Sequence, residues 1–483
     1  MFKKAFLTNS SGILCSRIFG FIRDLSMALV LGAGVYSDIF FVAFKFPNLF
    51  RRVFSEGAFT QSFLPSFISV KKKAQFSVAI FLIFFIFLVF FSILVCIFNG
   101  FFTKILAYGF NDETIKLAKP IVAINFWYLC LIFCVNFFSS LLQYRDNFWV
   151  SAYNTALLNI TMIVALFIAK DKDTYVIVYF LSYSVLIGGI LQILLHCYSL
   201  YKLKFIKLFI LGFRELYLII KYKDKLKINN IKKDIISFFA QFFPALLGSS
   251  TAQIASFIDT LLASFLISGS VSYLYYANRI FQLPLALFAI AISTALFPMV
   301  AKMINNSNEF EALKLLKNAF FILLFSLSIC VVGGIALKNE IIYLLFERGK
   351  FLRKDTLEVA NIFVAYLIGL LPFGLARIFS LWLYSYKKQA LAAKISAISL
   401  ICGVVFSLIL MKPFGALGLA LSSSIAGFIL FILTIFYFGI KKFKIIINNK
   451  KMLILLIVIL FVEYIILYFL KHFINFGGFY VHI

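Results

Sequence analysis

FSVAIFLIFFIFLVFFSILVCIF, residues 76–98, holds no charged side chain in 23 positions. As an α-helix it rises about 34 Å at 1.5 Å per residue, enough to cross the roughly 30 Å hydrocarbon core of a bilayer. Outward from it, apolar stretches recur near 6–31, 37–66, 121–142, 148–169, 175–198, 236–267, 272–300, 312–336, 358–384, 388–410, 415–438 and 452–470, thirteen in all. The first, second, seventh and eighth are weaker because polar residues interrupt them. The tail after Lys471 is too short for a fourteenth. Composition agrees: 63% of residues are hydrophobic and 13% charged, where soluble proteins carry about 25% charged. No soluble fold hides that much apolar surface. The 8 prolines and the scarcity of alternating ten-residue patterns argue against a β-barrel, so the spans are helices that satisfy their own backbone groups. Arg17, Arg23 and Asp24 interrupt any cleavable signal at the N-terminus.

The net charge of +27 points to a membrane surface rather than to nucleic acid, because Lys and Arg cluster between the apolar runs, where they set orientation and meet anionic headgroups. With the N-terminus in the cytoplasm, the inner segments carry 26 Lys and Arg and the outer ones 12. The positive-inside rule then places the N-terminus inside and, with thirteen spans, the C-terminus outside. Seven cysteines are scattered through the chain. Cys130 and Cys134 share a helix face, but no His or acid nearby completes a metal site, so they read as packing residues.

The chain reads as duplicated. The second span of each half matches weakly, LGAGVYSDIFFVAFKFPNLF against ISGSVSYLYYANRIFQLPLALF, and each half ends that span with a proline, in FLPSF and LFPMV. Six spans per half return both halves to the same side, a parallel repeat, and such repeats place a substrate path at their interface. The expected fold is an all-α polytopic membrane protein: two six-helix lobes as a parallel repeat around a central cavity, plus one extra C-terminal span. The domains are an N-lobe at 1–198, a basic amphipathic linker at 199–235 lying under the inner leaflet, a C-lobe at 236–440, and a basic loop, last span and tail at 441–483.

KFPNLFRRVFSEGAF, residues 45–59, puts charges inside an oily segment. A charge at mid-bilayer costs about 2.5–3.5 kcal/mol on insertion scales. Asp38, Lys45 and Arg52 are spaced i, i+7, i+14, and Asn48 and Glu56 flank Arg52 four residues either side. All lie on one helical stripe. Arg17 and Asp24 are seven apart on the first span, with Gly20 between. Pro47 and Gly57 predict a bend in the second span. In YYANRIFQLP (275–284), Arg279 adds a cation to the second half. Two readings stay open. The charges pair internally, Arg52 with Glu56 and Arg23 with Asp24 or Asp38; or they line an anion-binding cavity. Five cations (Arg17, Arg23, Lys45, Arg51, Arg52) face three acids in the first two spans, and that excess favours the cavity. The arginine fork binds phosphate bidentately and stays protonated.

SRIFGFIRDLSMALVLGAGVYSDIFFVAFKFPNLFRRVFSEGAFTQSFLPSF (16–67) closely resembles the signature of the MurJ/MviN family of lipid II flippases, part of the multidrug/oligosaccharidyl-lipid/polysaccharide exporter superfamily. LLNITMI (157–163), ASFLISGSVSYLYYANRIFQLP (263–284), LLFERGKF (344–351) and GALGLALSSSIAG (415–427) extend the resemblance over nearly the whole chain. It implies transfer of an undecaprenyl-pyrophosphate-linked peptidoglycan precursor from the inner to the outer leaflet of the bacterial cytoplasmic membrane by alternating access. The matching cavity positions are Ser16, Arg17, Arg23, Asp24, Asp38, Asn48, Arg51, Arg52, Glu56 and Arg279. A polysaccharide-repeat-unit or drug exporter of the same superfamily is the alternative, although a cation exporter would favour acids in its cavity.

Three departures from the family stand out: the missing fourteenth span, the absent proline before LLN, and Gly403 and Ser407 where relatives carry asparagines. The last speaks against a sodium site, even with Asp259 in span seven. No cofactor is expected; the membrane potential is. The partners implied are lipid II and anionic phospholipids at the basic loops, with no nucleic acid. Lys394, Arg377 and Glu463 read as snorkelling or paired groups near span ends. A transferase is disfavoured because neither a DxD nor a DDxxD motif is expected and because the histidines (196, 472, 482) lie at span ends or in the tail.

Overall fold

The structure, a computed structural model, describes the backbone of residues 2–55 and 58–476 and the side chains of 11–51, 58–219, 221–246, 253–254 and 256–471. Every regular element among them is helical: α1 (Phe2–Leu31), α2 (Val35–Ser55), α3 (Ala58–Ser69), α4 (Lys73–Ile97), α5 (Asn99–Leu106), α6 (Asp112–Phe126), α7 (Tyr128–Tyr144), α8 (Trp149–Ala169), α9 (Thr174–Lys202), α10 (Phe205–Lys221), α11 (Lys225–Ala263), α12 (Ser270–Pro284), a π-helical turn (Leu285–Ile290), α13 (Ala291–Asn305), α14 (Glu309–Ala336), α15 (Lys338–Phe346), α16 (Arg353–Ile368), α17 (Leu370–Ser385), α18 (Gln389–Phe438), α19 (Ile440–Ile447) and α20 (Lys450–Phe476). Among the described residues nine helical segments are long and apolar enough to cross a membrane. The charged helices α1, α2 and α11 are not among them; α2 alone carries Asp38, Lys45, Arg51 and Arg52.

Local chemistry explains most boundaries. Asn111 opens α6 by accepting the Thr114 N–H at 2.8 Å, and Asp173 opens α9 by accepting from Tyr175 at 2.9 Å, each satisfying an orphan donor of the first turn. The run 388–438 was expected as two spans, and its helix is 50 residues long. That length is about 75 Å if straight, far beyond a bilayer. Gly415, at φ 55° and ψ −133°, breaks it into two arms, a backbone state that a residue with a Cβ adopts only under strain. Pro47 lies inside α2, which runs on to Ser55. Glu56 and Gly57, where the bend was expected, lie outside the described residues. In the second half a π-helical turn, 285–290, follows Pro284, whose ring removes a backbone donor.

The linker 199–235, expected as one amphipathic helix, is divided. α10 ends at Lys221, Lys223 takes a left-handed φ of 48°, and Asp224 caps α11 by accepting the Lys227 N–H at 3.2 Å. Residues 199–202 close α9, and 225–235 are the first turns of α11.

Two compact units emerge, residues 1–265 and 266–483. The 39-residue α11, assigned from the sequence largely to the second half, packs on α2, α3 and α4 of the first unit. That unit pairs α1 with α8, α8 with α9, and α2 with α6. Its core is aromatic: Phe59, Phe63, Phe84, Phe133, Phe137 and Phe238 meet in stacked and edge-on contacts. With no water to exclude inside a bilayer, such dense contact supplies the cohesion. The second unit pairs α12 with α16, α17 with α18, and α14 with α20.

Candidate functional site

The charged stripe of the first unit begins on α1. Gly12 lets α1 press against Ala152 of α8, where an added Cβ would fall 2.4 Å from the alanine Cβ. That approach lets Ser16 donate to the Ala152 carbonyl at 3.2 Å. Two turns on, Arg23 is held from two sides. Its Nη2 and Nε reach Asp24 Oδ1 at 2.6 and 3.1 Å, and its Nη1 donates to Asn159 Oδ1 at 3.0 Å. Asn159 in turn donates to the Ser16 carbonyl at 3.3 Å. The Asp24 side chain is fully buried and that of Arg23 is 12% exposed.

On α2, Asp38 is buried in the first turn, where a carboxylate complements the helix dipole. Arg51 donates to Asn48 Oδ1 from Nε and Nη2 at 3.3 and 3.2 Å. Lys45 lies within electrostatic reach of Asp259 on α11. The Arg52 side chain and the whole of Glu56 fall outside the described residues.

Ser16, Arg23 and Asp24 thus form one cluster and Asn48 with Arg51 another, while Arg17 is exposed on α1. Arg279 stands half-buried on α12 of the second unit. The internal pairing of Arg23 with Asp24 is present. Asp259 adds a fourth acid to the three counted against the five cations of the first two spans, so the excess within this charged set is one rather than two. Asp259 was read only in connection with sodium; its nearness to Lys45 was not legible because more than 200 residues separate the two in sequence.

A buried polar chain was also missed. Tyr128 donates to Gln192 Oε1 at 3.3 Å, Gln192 donates to the Asn154 carbonyl at 2.8 Å, and His196 Nδ1 lies 2.7 Å from the Gln192 carbonyl. Arg51 is within electrostatic reach of Tyr128. His196, read as a span-end residue, is fully buried. Amides at 154 and 159 inside an apolar run were the legible signal.

In the second unit Glu463 was read as lying near a span end. It is thirteen residues into the span Lys450–Lys471 and faces Gly333 of α14. The arms of α18 meet through small groups: Ser407 and Ser422 hydroxyls at 2.6 Å, and Ser399 donating to the Ala426 carbonyl at 2.7 Å. A Cβ on Gly403 would fall 3.1 Å from that of Ala426. No group of three or more His, Cys, Asp or Glu is placed to hold a metal among the described residues. Contrary to the expectation of no D-x-D, Asp171-Lys172-Asp173 spells one, and its Asp173 caps α9.

The family model described as "Lipid II flippase MurJ" matches residues 27–483. The chain belongs to the MurJ family. Its relatives include a "Probable lipid II flippase MurJ" of Helicobacter pylori strain 26695, 54% identical over 449 residues, covering 93% of this chain and 97% of the relative. A MurJ relative from Buchnera aphidicola of Acyrthosiphon pisum is 33% identical over 442 residues, covering 89% and 82%. Among solved structures, "Lipid II flippase MurJ, inward closed conformation" superposes with a TM-score of 0.76 at 27% identity, over 98% of this chain and 99% of that one. An inward-facing MATE-family transporter reaches a TM-score of 0.69 at 13% identity, over 92% and 99%, a likeness of fold alone.

Proposed function

We propose that this MurJ-family chain is a lipid II flippase. It moves the undecaprenyl-pyrophosphate-linked peptidoglycan precursor between leaflets of the bacterial inner membrane, and it is a transporter rather than an enzyme. The observation that carries this reading is a guanidinium, Arg23, fixed by Asp24 and Asn159 inside a membrane helix bundle of this family. Asp24 and Asn159 set the direction of the Arg23 guanidinium, and Arg17 is exposed two turns away. Arg17, Arg23, Arg51, Arg52 and Arg279 bind the diphosphate; Asp24, Asn48 and Ser16 orient them. Asp38 and Glu56 are the acids against which the cations rest between cycles.

The finer architecture belongs to the same proposal. The nine apolar segments, with α18 counted as two arms and with α1, α2–α3 and α11 added, make thirteen spans. In this reading they count as two sets of six, joined by residues 199–235, with a last span in 441–483. Support comes from the second span of each half, which is built of two pieces: α2 with α3, and α12 with α13 across a π-turn. The Lys and Arg excess places the N-terminus in the cytoplasm and the C-terminus outside, with anionic phospholipids against the basic inner loops. No cofactor or sodium ion takes part. The membrane potential, at about 2.3 kcal/mol per charge per 100 mV, biases the anionic headgroup outward or resets the cationic site.

The test is a depletion strain assayed for the leaflet distribution of lipid-linked precursors. Lipid II accumulating in the inner leaflet is the expected outcome. An unchanged distribution with loss of a surface polysaccharide, or of drug efflux, overturns it in favour of a superfamily exporter.

A further inference from the structure

α10 has two faces with different work to do. Phe205, Phe209 and Gly212 turn inward. Phe209 packs on Phe81, Phe137 and Phe138, and the Phe205 ring meets Arg145, the C-cap of α7. Gly212 rests on the first turn of α4, where an added Cβ would fall 2.4 Å from the Ala74 carbonyl oxygen. Those contacts fix the depth of α10. The Phe205 contact is at the Arg145 cap of α7 and the Gly212 contact just after Lys71–Lys73 at the start of α4, so cations of the kind that mark a membrane surface stand at both ends of this seat.

The outward face is not a water-facing one. Ile210, Phe213 and Tyr217 are 64%, 44% and 63% exposed along one edge, and Leu211 and Leu218 line the other. Between these edges Lys207, Arg214 and Lys221 are exposed at i, i+7 and i+14, one basic stripe along the helix. A cationic stripe framed on both sides by large apolar groups suits neither bulk water nor bare hydrocarbon. It suits acyl chains under the apolar edges and phosphate at the level of the cations.

We infer that α10 is a docking site for anionic phospholipid headgroups, held in the plane of the membrane by its seat on α4 and α7. This deepens the reading of basic loops meeting anionic lipid, by naming one helix, one stripe and one ligand chemistry.

The test uses the full chain in vesicles of phosphatidylcholine carrying a trace of photoactivatable phosphatidylglycerol or photoactivatable phosphatidylcholine, with labelled peptides read by mass spectrometry. The peptide containing 205–221 is expected to take up the glycerol lipid about fivefold more than the choline lipid, the preference of roughly one cation near an anionic surface. K207Q/R214Q/K221Q should abolish that preference, and K170Q/K172Q/K350Q, which removes the same charge elsewhere, should leave it intact. Equal labelling by the two lipids, no label on this peptide, or an equal loss in both variants overturns the inference. Labelling is scored without flipping, so its failure and failure of the flippase reading are separately visible.

Discussion

Arg23 of α1 and Asn159 of α8 meet at 3.0 Å, and the same amide donates to the Ser16 carbonyl one helix away. One buried side chain therefore sets both the direction of a membrane-embedded guanidinium and the seat of α1 on α8. Asn159→Ala removes the Nη1 acceptor, and a buried donor left unpaired costs about 1–3 kcal/mol. Transport should fall about tenfold or more with the protein still in the membrane, measured by complementation with an immunoblot of the membrane fraction. Asn159→Gln, which keeps the amide, should restore part of the activity. Full activity in Asn159→Ala removes the positioning role.

The arginines themselves are a separate matter. Arg17→Ala, Arg23→Ala and Arg52→Ala should each fail to support growth of a depletion strain while reaching normal membrane levels. Normal growth of all three would refute their assignment to the substrate.

Phe59 is fully buried and touches rings on α3, α4, α7 and α11. Truncating a buried phenylalanine costs about 3–5 kcal/mol in well-packed cores. Phe59→Ala should lower the thermal midpoint of the purified protein by several degrees, and Phe59→Leu by less. An unchanged midpoint would mean the aromatic cluster relaxes freely.

At the start of α14, Glu309 accepts from the Tyr386 hydroxyl and pairs with Lys442 at 3.0 Å, while Lys442 lies 4.4 Å from the Trp382 ring centroid. Burial, then the Glu309 carboxylate, pushes the Tyr386 phenol up to about 12. The folded state thus keeps this proton where the unfolded chain, near 10, releases it. Its contribution is intact below pH 10 and is lost as pH rises towards 12. Thermal scans should show an alkaline fall in stability that is smaller in Tyr386→Phe. Identical slopes would remove Tyr386 from the account.

Ser407 and Ser422 bond each other and Gly403 abuts Ala426. Replacing sodium by potassium at fixed membrane potential should leave transport by reconstituted protein unchanged, and collapsing the potential should slow it. A sodium requirement would show that a site exists elsewhere.

Hydrophobicity along the chain was enough to declare a helical membrane protein, because a bilayer demands local closure of every backbone hydrogen bond and so writes its thickness into runs such as 76–98. Helical periodicity likewise placed Asp38, Lys45 and Arg52 on one face, since that geometry depends on near neighbours alone. What periodicity could not supply was the partner of each charge. Asn159 lies 136 residues from Arg23, and Asp259 still further from Lys45. Those meetings follow from how α1 docks on α8 and α2 on α11, and docking is a matter of side-chain packing between distant segments. The seat of α10 on α4 was hidden for the same reason: Gly212 has meaning only once Ala74 is beside it.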